Sequence, residues 1–168
     1  MNSALLFDFV VDKDNRTITI KREFDADLAM VWEAWTNPEI LDKWYAPKPF
    51  RAETQTMDFR EGGFWHYAMI NPQDEKVGYS RYDYQKIEPQ KTIVELRGFC
   101  DANGTVNPNF ARTTATNDFR EENGKTLVKI HAQYGSVETL EFIVKNGFIE
   151  GMSACFGNLD ELLGNGKN

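Results

Sequence analysis

"KNGFIEGMSACFGNLDELL" (145–163) places apolar residues at helical spacing and interrupts them with Gly147, Gly151 and Gly157. At about 100° per residue, Val144, Phe148, Met152, Cys155, Leu159 and Leu162 share one stripe. The pattern predicts one long C-terminal helix over about 137–163. Each glycine inside a helix costs roughly 1 kcal/mol relative to alanine, so three need a reason. Gly151 lies within the stripe, Gly147 at its edge, and Gly157 on the opposite face, expected to meet solvent. Two side chains missing from a core-facing stripe have one of two consequences. Either the helix approaches its neighbour's backbone closely, or a void remains that a ligand fills. The residues alone leave both open.

Working outward, nearly everything between residue 51 and that helix alternates like strand. The runs are 51–60, "FWHYAMI" (64–70), "KVGYSRYDYQKI" (76–87), "TIVELRGFC" (92–100), "ARTTATNDFR" (111–120) and "TLVKIHAQY" (126–134), separated by turns such as "NPQDE" and "EENGK". Gly62-Gly63 reads as a bulge or tight turn into the strand that follows. Upstream, "LLFDFVV" (5–11) and "RTITIKREF" (16–24) flank a polar turn. In the second run Ile18, Ile20 and Phe24 share one parity, which also carries Arg22. A charge on that face needs a carboxylate partner or a wet cavity.

Two short helices come between. "DADLAMVWEAWT" (25–36) has Asp27 as N-cap, and "NPEILDKWYAP" (37–47) is capped by Asn37, with Pro38 in its first turn and Pro47 as its stop. The order is strand, two short helices, a meander of strands and one long helix. Short turns between consecutive strands imply an antiparallel sheet, and a curved sheet with one helix across it is the compact α+β solution. With 168 residues, no repeat and no linker, one domain over 1–168 is expected.

The run "VWEAWTNPEILDKWYAP" (31–47) resembles the START-like (SRPBCC, Bet v-like) superfamily, in the branch of activator of heat-shock protein 90 ATPase homologues. "MDFREGGFWHYAM" (57–69), "GYSRYDYQKIEP" (78–89), "GKTLVKI" (124–130) and "GFIEGMSACFGNLDELL" (147–163) extend the resemblance in order over residues 16–163. Asn37 replaces the branch's usual Asp, Lys86 stands where many members have Glu, and Phe148 where a Trp is common. The resemblance implies a helix-grip fold: a curved antiparallel sheet of six or seven strands around a long C-terminal helix, with two short helices after the first strand. A cavity lies between sheet and helix in that fold. Relatives bind lipids, sterols or hormones, act as polyketide cyclases, or stimulate a chaperone ATPase, so the fold alone assigns no activity.

The expected cavity lining is Trp65, Tyr67 and Met69, then Tyr82 and Tyr84, and Gly147, Phe148, Gly151, Met152 and Cys155 from the helix. Gly78, Ser80, Tyr82 and Tyr84 compete with Tyr79, Arg81 and Asp83 for the inner face; the tyrosines are favoured for their apolar ring and polar tip. Val94, Leu96, Val128 and Ile130 are expected as plain core, and His66 and His131 at the surface. Asp83, Asp118 and Glu95 are candidate acid–base groups, with Arg22 or Arg97 to neutralise them, but ordinary ion pairing accounts for them more simply. The predicted occupant is a small apolar or aromatic molecule with one or two polar groups.

A net charge of −7 with no basic run argues against nucleic acid. No metal spacing, phosphate loop or nucleophile elbow occurs, so no metal, cofactor or catalytic residue is expected. "ALLFDFVV" (4–11) is too short to span a bilayer and could instead be a sheet edge that pairs with a second copy. With no signal-like start and only two cysteines, Cys100 and Cys155, the chain reads as cytoplasmic with reduced thiols. Small-molecule binding ranks first, contact with a chaperone second and cyclase- or hydrolase-like catalysis third.

Overall fold

The computed structural model describes residues 5–165. Residues 1–4 and 166–168 of the expected domain, including Ala4 of "ALLFDFVV", lie outside the described residues.

In chain order the elements are β1 (Phe7–Asp12), β2 (Thr17–Phe24), α1 (Leu28–Thr36), α2 (Pro38–Trp44), β3 (Arg51–Met57) and β4 (Phe64–Ile70). They continue as β5 (Lys76–Glu88), β6 (Thr92–Cys100), β7 (Thr113–Glu122), β8 (Lys125–Gln133), α3 (Val137–Lys145) and α4 (Phe148–Asn165). The strands form one antiparallel sheet in the order β1-β2-β8-β7-β6-β5-β4-β3. Register shifts at Thr54/Thr56, Met69/Ile70 and Tyr84/Lys86 insert bulges, which bend strands and increase their twist.

Three expectations are corrected. Among the described residues the sheet has eight strands rather than six or seven, because the segment expected at 5–11 pairs with β2 from Phe7↔Arg22 to Asp12↔Thr17. The two short helices therefore follow the second strand. The helix expected over 137–163 is two helices, because Gly147 sits at φ 88°, in the left-handed region glycine favours. Asn146 N–H donates to Phe142 O as α3 ends, and Gly151 N–H donates to Gly147 O as α4 begins.

The short helices start where their caps dictate. Asp27 Oδ1 accepts from Met30 N at 2.8 Å, and Asn37 Oδ1 accepts from Glu39 N at 2.9 Å. They turn Trp35 and Trp44 inward against the second half of α4. Phe156 there is fully buried, with ring centroids 5.7 Å from Phe24, 6.3 Å from Trp44 and 6.5 Å from Trp35. Asn158 Nδ2 donates to Ala46 O at 2.9 Å and ties α4 to the end of α2. This half of the interior is solid with aromatic rings. Beside it Arg22 finds its carboxylate: Asp160 of α4 lies 2.5 Å away, and the guanidinium stands over the Phe24 ring at 4.8 Å.

The phase of β6 overturns part of the expected core. Val94 and Leu96 face the outer side, while Ile93 and Glu95 are buried and Arg97 shares their side. Register decides this, since Glu95 lies opposite Tyr84 and Ala115, both buried. Val128 and Ile130 are core as expected. His66 is a further correction. Its parity is outward, but the segment after β6 covers it, placing Nε2 3.1 Å from Asp101 O, and it is only 5% exposed. His131 is half-buried beside Thr19 Oγ1, at 3.0 Å. Among the described residues, no helix is long and apolar enough to cross a membrane.

Candidate functional site

Where the second half of α4 meets packed rings, its first half does not. A half-open cavity of about 370 Å³ lies beneath the start of α4 and beside α3, floored by the inner faces of β4 to β7. That volume suits a small organic molecule. Gly151 stands over it with helical backbone, and among the described residues a Cβ built there would meet no atom within 4 Å beyond its own stretch of helix. The sheet backbone is not approached closely at this point.

Eight of the ten expected residues line the space: Tyr67, Met69, Tyr82, Gly147, Phe148, Gly151, Met152 and Cys155. Trp65 and Tyr84 face inward but outside the lining. Trp65 stacks on Tyr67 at 4.2 Å and donates from Nε1 to Thr54 Oγ1 at 3.0 Å, so it backs the cavity wall. Tyr84 packs against Phe59 at 4.9 Å, beyond the cavity's floor. Both have the right parity, and each lies one inward position beyond the hollow.

Sequence reasoning missed Tyr45, Thr113, Tyr134 and the mouth residues Phe99 and Phe142, and it named Arg97 only as a counter-charge, not as lining. Parity along "TIVELRGF" offered a signal for Arg97, since it pairs Glu95 with Arg97 on one face. Tyr45 follows α2 immediately, and only the packing of α2 on the sheet turns it toward β5.

The polar floor is a connected set. Tyr82 Oη lies 2.8 Å from Tyr45 Oη and 3.3 Å from Tyr67 Oη. Arg97 stacks over the Tyr82 ring at 4.8 Å. Its Nε donates to Glu95 at 2.7 Å and Nη2 reaches Asn117 Oδ1 at 3.4 Å. Asn117 is fully buried and donates to Ile93 O at 3.0 Å, so the pair is braced from β7. Among the described residues, Arg97 is the only charged side chain in the lining, and Glu95 lies behind it.

Burial sets the ionisation of this floor. It pushes the phenols of Tyr45, Tyr67, Tyr82 and Tyr134 above their ordinary value, against the opposing charge of Arg97. Burial likewise raises the Glu95 carboxyl, with Arg97 pulling it back. Arg97 stays cationic, since the acidic groups around it outweigh its loss of water. Burial pushes the Cys155 thiol up to about 12, so it meets the cavity as an uncharged small apolar group. The floor therefore offers neutral hydroxyls and a cation already paired.

The other candidate acid–base groups lie elsewhere. Asp83 is on the outer face between Arg81 and Arg112; burial would raise its carboxyl, but hydrogen bonds from both arginines hold it below the ordinary value. Asp118 is exposed and accepts from Thr92 Oγ1 at 2.9 Å. Among the described residues, no three His, Cys, Asp or Glu side chains converge on a metal position.

Comparison with known proteins gives this architecture its relatives. The family described as "Activator of Hsp90 ATPase homolog 1-like protein" matches residues 25–164. The crystal structure of protein Ms6760 from Mycobacterium smegmatis superposes with a TM-score of 0.86 at 29% identity, covering 95% of this chain and 97% of that one. A solution structure of a protein from Arthrobacter aurescens gives 0.86 at 26% identity, covering 94% and 91%. CalU16 from Micromonospora echinospora, at 17% identity, TM-score 0.62 and coverage of 95% and 85%, shares the fold alone. No curated protein matches.

Proposed function

The chain belongs to the activator of Hsp90 ATPase homolog 1-like family, within the SRPBCC (Bet v-like) superfamily, and from that premise we propose that it binds a small apolar or aromatic molecule beneath α3 and α4. One observation carries the reading. The chain places a glycine, at a helix-weakening cost, over a volume that no side chain among the described residues fills. Apolar walls would supply affinity, and the hydroxyl floor would orient whatever polar group the ligand bears. The reading assigns binding rather than turnover.

The test is thermal stabilisation by a panel of apolar and aromatic compounds, run on the wild type and on Gly151→Phe. Ligand at about a hundredfold its Kd adds about 2.7 kcal/mol to the folded state. Gly151→Phe directs a ring into open space, so the variant should keep its helical circular dichroism and lose the shift. Ligands that stabilise both proteins equally would refute binding at this site.

A second reading, contact with a chaperone or a second copy of the chain, is favoured by the edge strand β1. Phe7 and Val10 in that strand, and Leu6 just before it, leave large apolar side chains exposed. Such contact would survive filling of the cavity.

A further inference from the structure

Resting on that binding reading, we infer that the cavity selects an uncharged molecule presenting a carbonyl-type acceptor oxygen on an apolar or aromatic frame, and that Glu95 is the residue that selects against carboxylates. A lone arginine in an apolar pocket would recruit anions. This one arrives with its counter-charge built in.

Glu95 has a side chain only 6% exposed, bonded to Arg97 Nε at 2.7 Å, and it is walled off from the lining. A carboxylate entering beside Arg97 is attracted by the guanidinium and repelled by the carboxylate bonded to it. It gains little net Coulomb energy while giving up its own hydration. A neutral carbonyl gives up far less. Among the described residues, the groups facing the pair are Tyr45, Tyr67, Tyr82, Tyr84 and Tyr134, with Asn117 from β7. None of them is cationic, so no second positive charge offsets Glu95.

The floor can still donate. Among the described residues, Glu95 takes the Nε proton and Asn117 one of the two on Nη2; a guanidinium carries five N–H groups, so donors remain for what enters. Tyr45, Tyr82, Tyr67 and Ser80 form a chain of four hydroxyls joined by three hydrogen bonds, so one O–H remains to be given. Donors without a free charge match a ketone, lactone or amide oxygen. They do not match an anion.

The test uses two probes on one skeleton, acetylnaphthalene and naphthoate, titrated calorimetrically into the wild type and Glu95→Gln. In the wild type the ketone should bind about tenfold more tightly or better. In Glu95→Gln, which leaves Arg97 unneutralised, the order should reverse. A second measurement needs no variant. Repeated in two buffers of different ionisation enthalpy, any naphthoate binding to the wild type should take up about one proton per ligand, and the ketone none. Naphthoate binding the wild type as tightly as the ketone, or binding it with no proton uptake, would overturn the inference and leave the binding reading standing. So would an unchanged order of affinities in a folded Glu95→Gln. Neither probe binding either protein would remove both readings.

Discussion

The two glycines at the start of α4 should respond to alanine with opposite signs. Gly151 has helical backbone, and among the described residues a methyl there meets no atom within 4 Å beyond its own stretch of helix, so Gly151→Ala restores helix propensity without a clash. The gain is about 1 kcal/mol, and for a chain of this size that raises Tm by about 2–4 °C. Gly147 has φ 88°, where a Cβ crowds its own backbone. Gly147→Ala should cost about 1–2 kcal/mol, although the nearest outside atom, Glu150 Oε2 at 3.6 Å, is only in ordinary contact. The two variants should therefore differ by about 2–3 kcal/mol. Urea unfolding read by circular dichroism resolves this, with the m-value unchanged if only stability moves. Stabilisation by both substitutions would mean one continuous helix through 147 and would refute the break. Destabilisation by Gly151→Ala would mean that the space beneath it is occupied.

Phe156→Ala should lose about 3–5 kcal/mol, because its ring joins Phe24, Trp35 and Trp44 in the packed half of the interior. A loss below about 1 kcal/mol in urea unfolding would show that the cluster does not depend on it. Alkaline pH should act through Tyr45, Tyr67, Tyr82, Tyr84 and Tyr134, whose phenols burial raises. Folded-state values above the unfolded value of about 10 mean full stabilisation below that pH and progressive loss above it. Tyrosinate absorbance should then rise together with the loss of sheet signal; ionisation of these phenols in the folded protein would contradict their burial.

Much of the architecture was legible because it is written in near neighbours. Asp27 and Asn37 announce two helix starts through side chains that reach backbone two or three residues on. Alternation along β4 and the tyrosines of β5 identified their inner faces, since the pleat has period two. A helical stripe short of bulk pointed to the hollow. The strand count was less legible: the runs were all visible, but whether 5–11 joined the sheet depended on pairing with β2.

The cavity's chemistry was harder to read. On β6 hydrophobicity favoured Val94 and Leu96 as the inner face, yet Ile93, Glu95 and Arg97 occupy it. Charges lie inward there because each is the other's partner two residues away and Asn117 braces them from another strand. His66 is buried by a segment that returns from beyond β6, and Arg22 is neutralised by Asp160, 138 residues later.

Sequence by itself determined the class of fold, most of the order of its elements, the caps and the glycine-thinned helical segment, because propensity, periodicity and capping act within a few residues. Tertiary structure alone decided which half of α4 meets packed rings and which stands over open space, which face of β6 turns inward, and that Arg97 reaches the cavity already neutralised. Those outcomes depend on strand register and on distant partners meeting, and the burial that enforces them exists only once the chain has closed on itself.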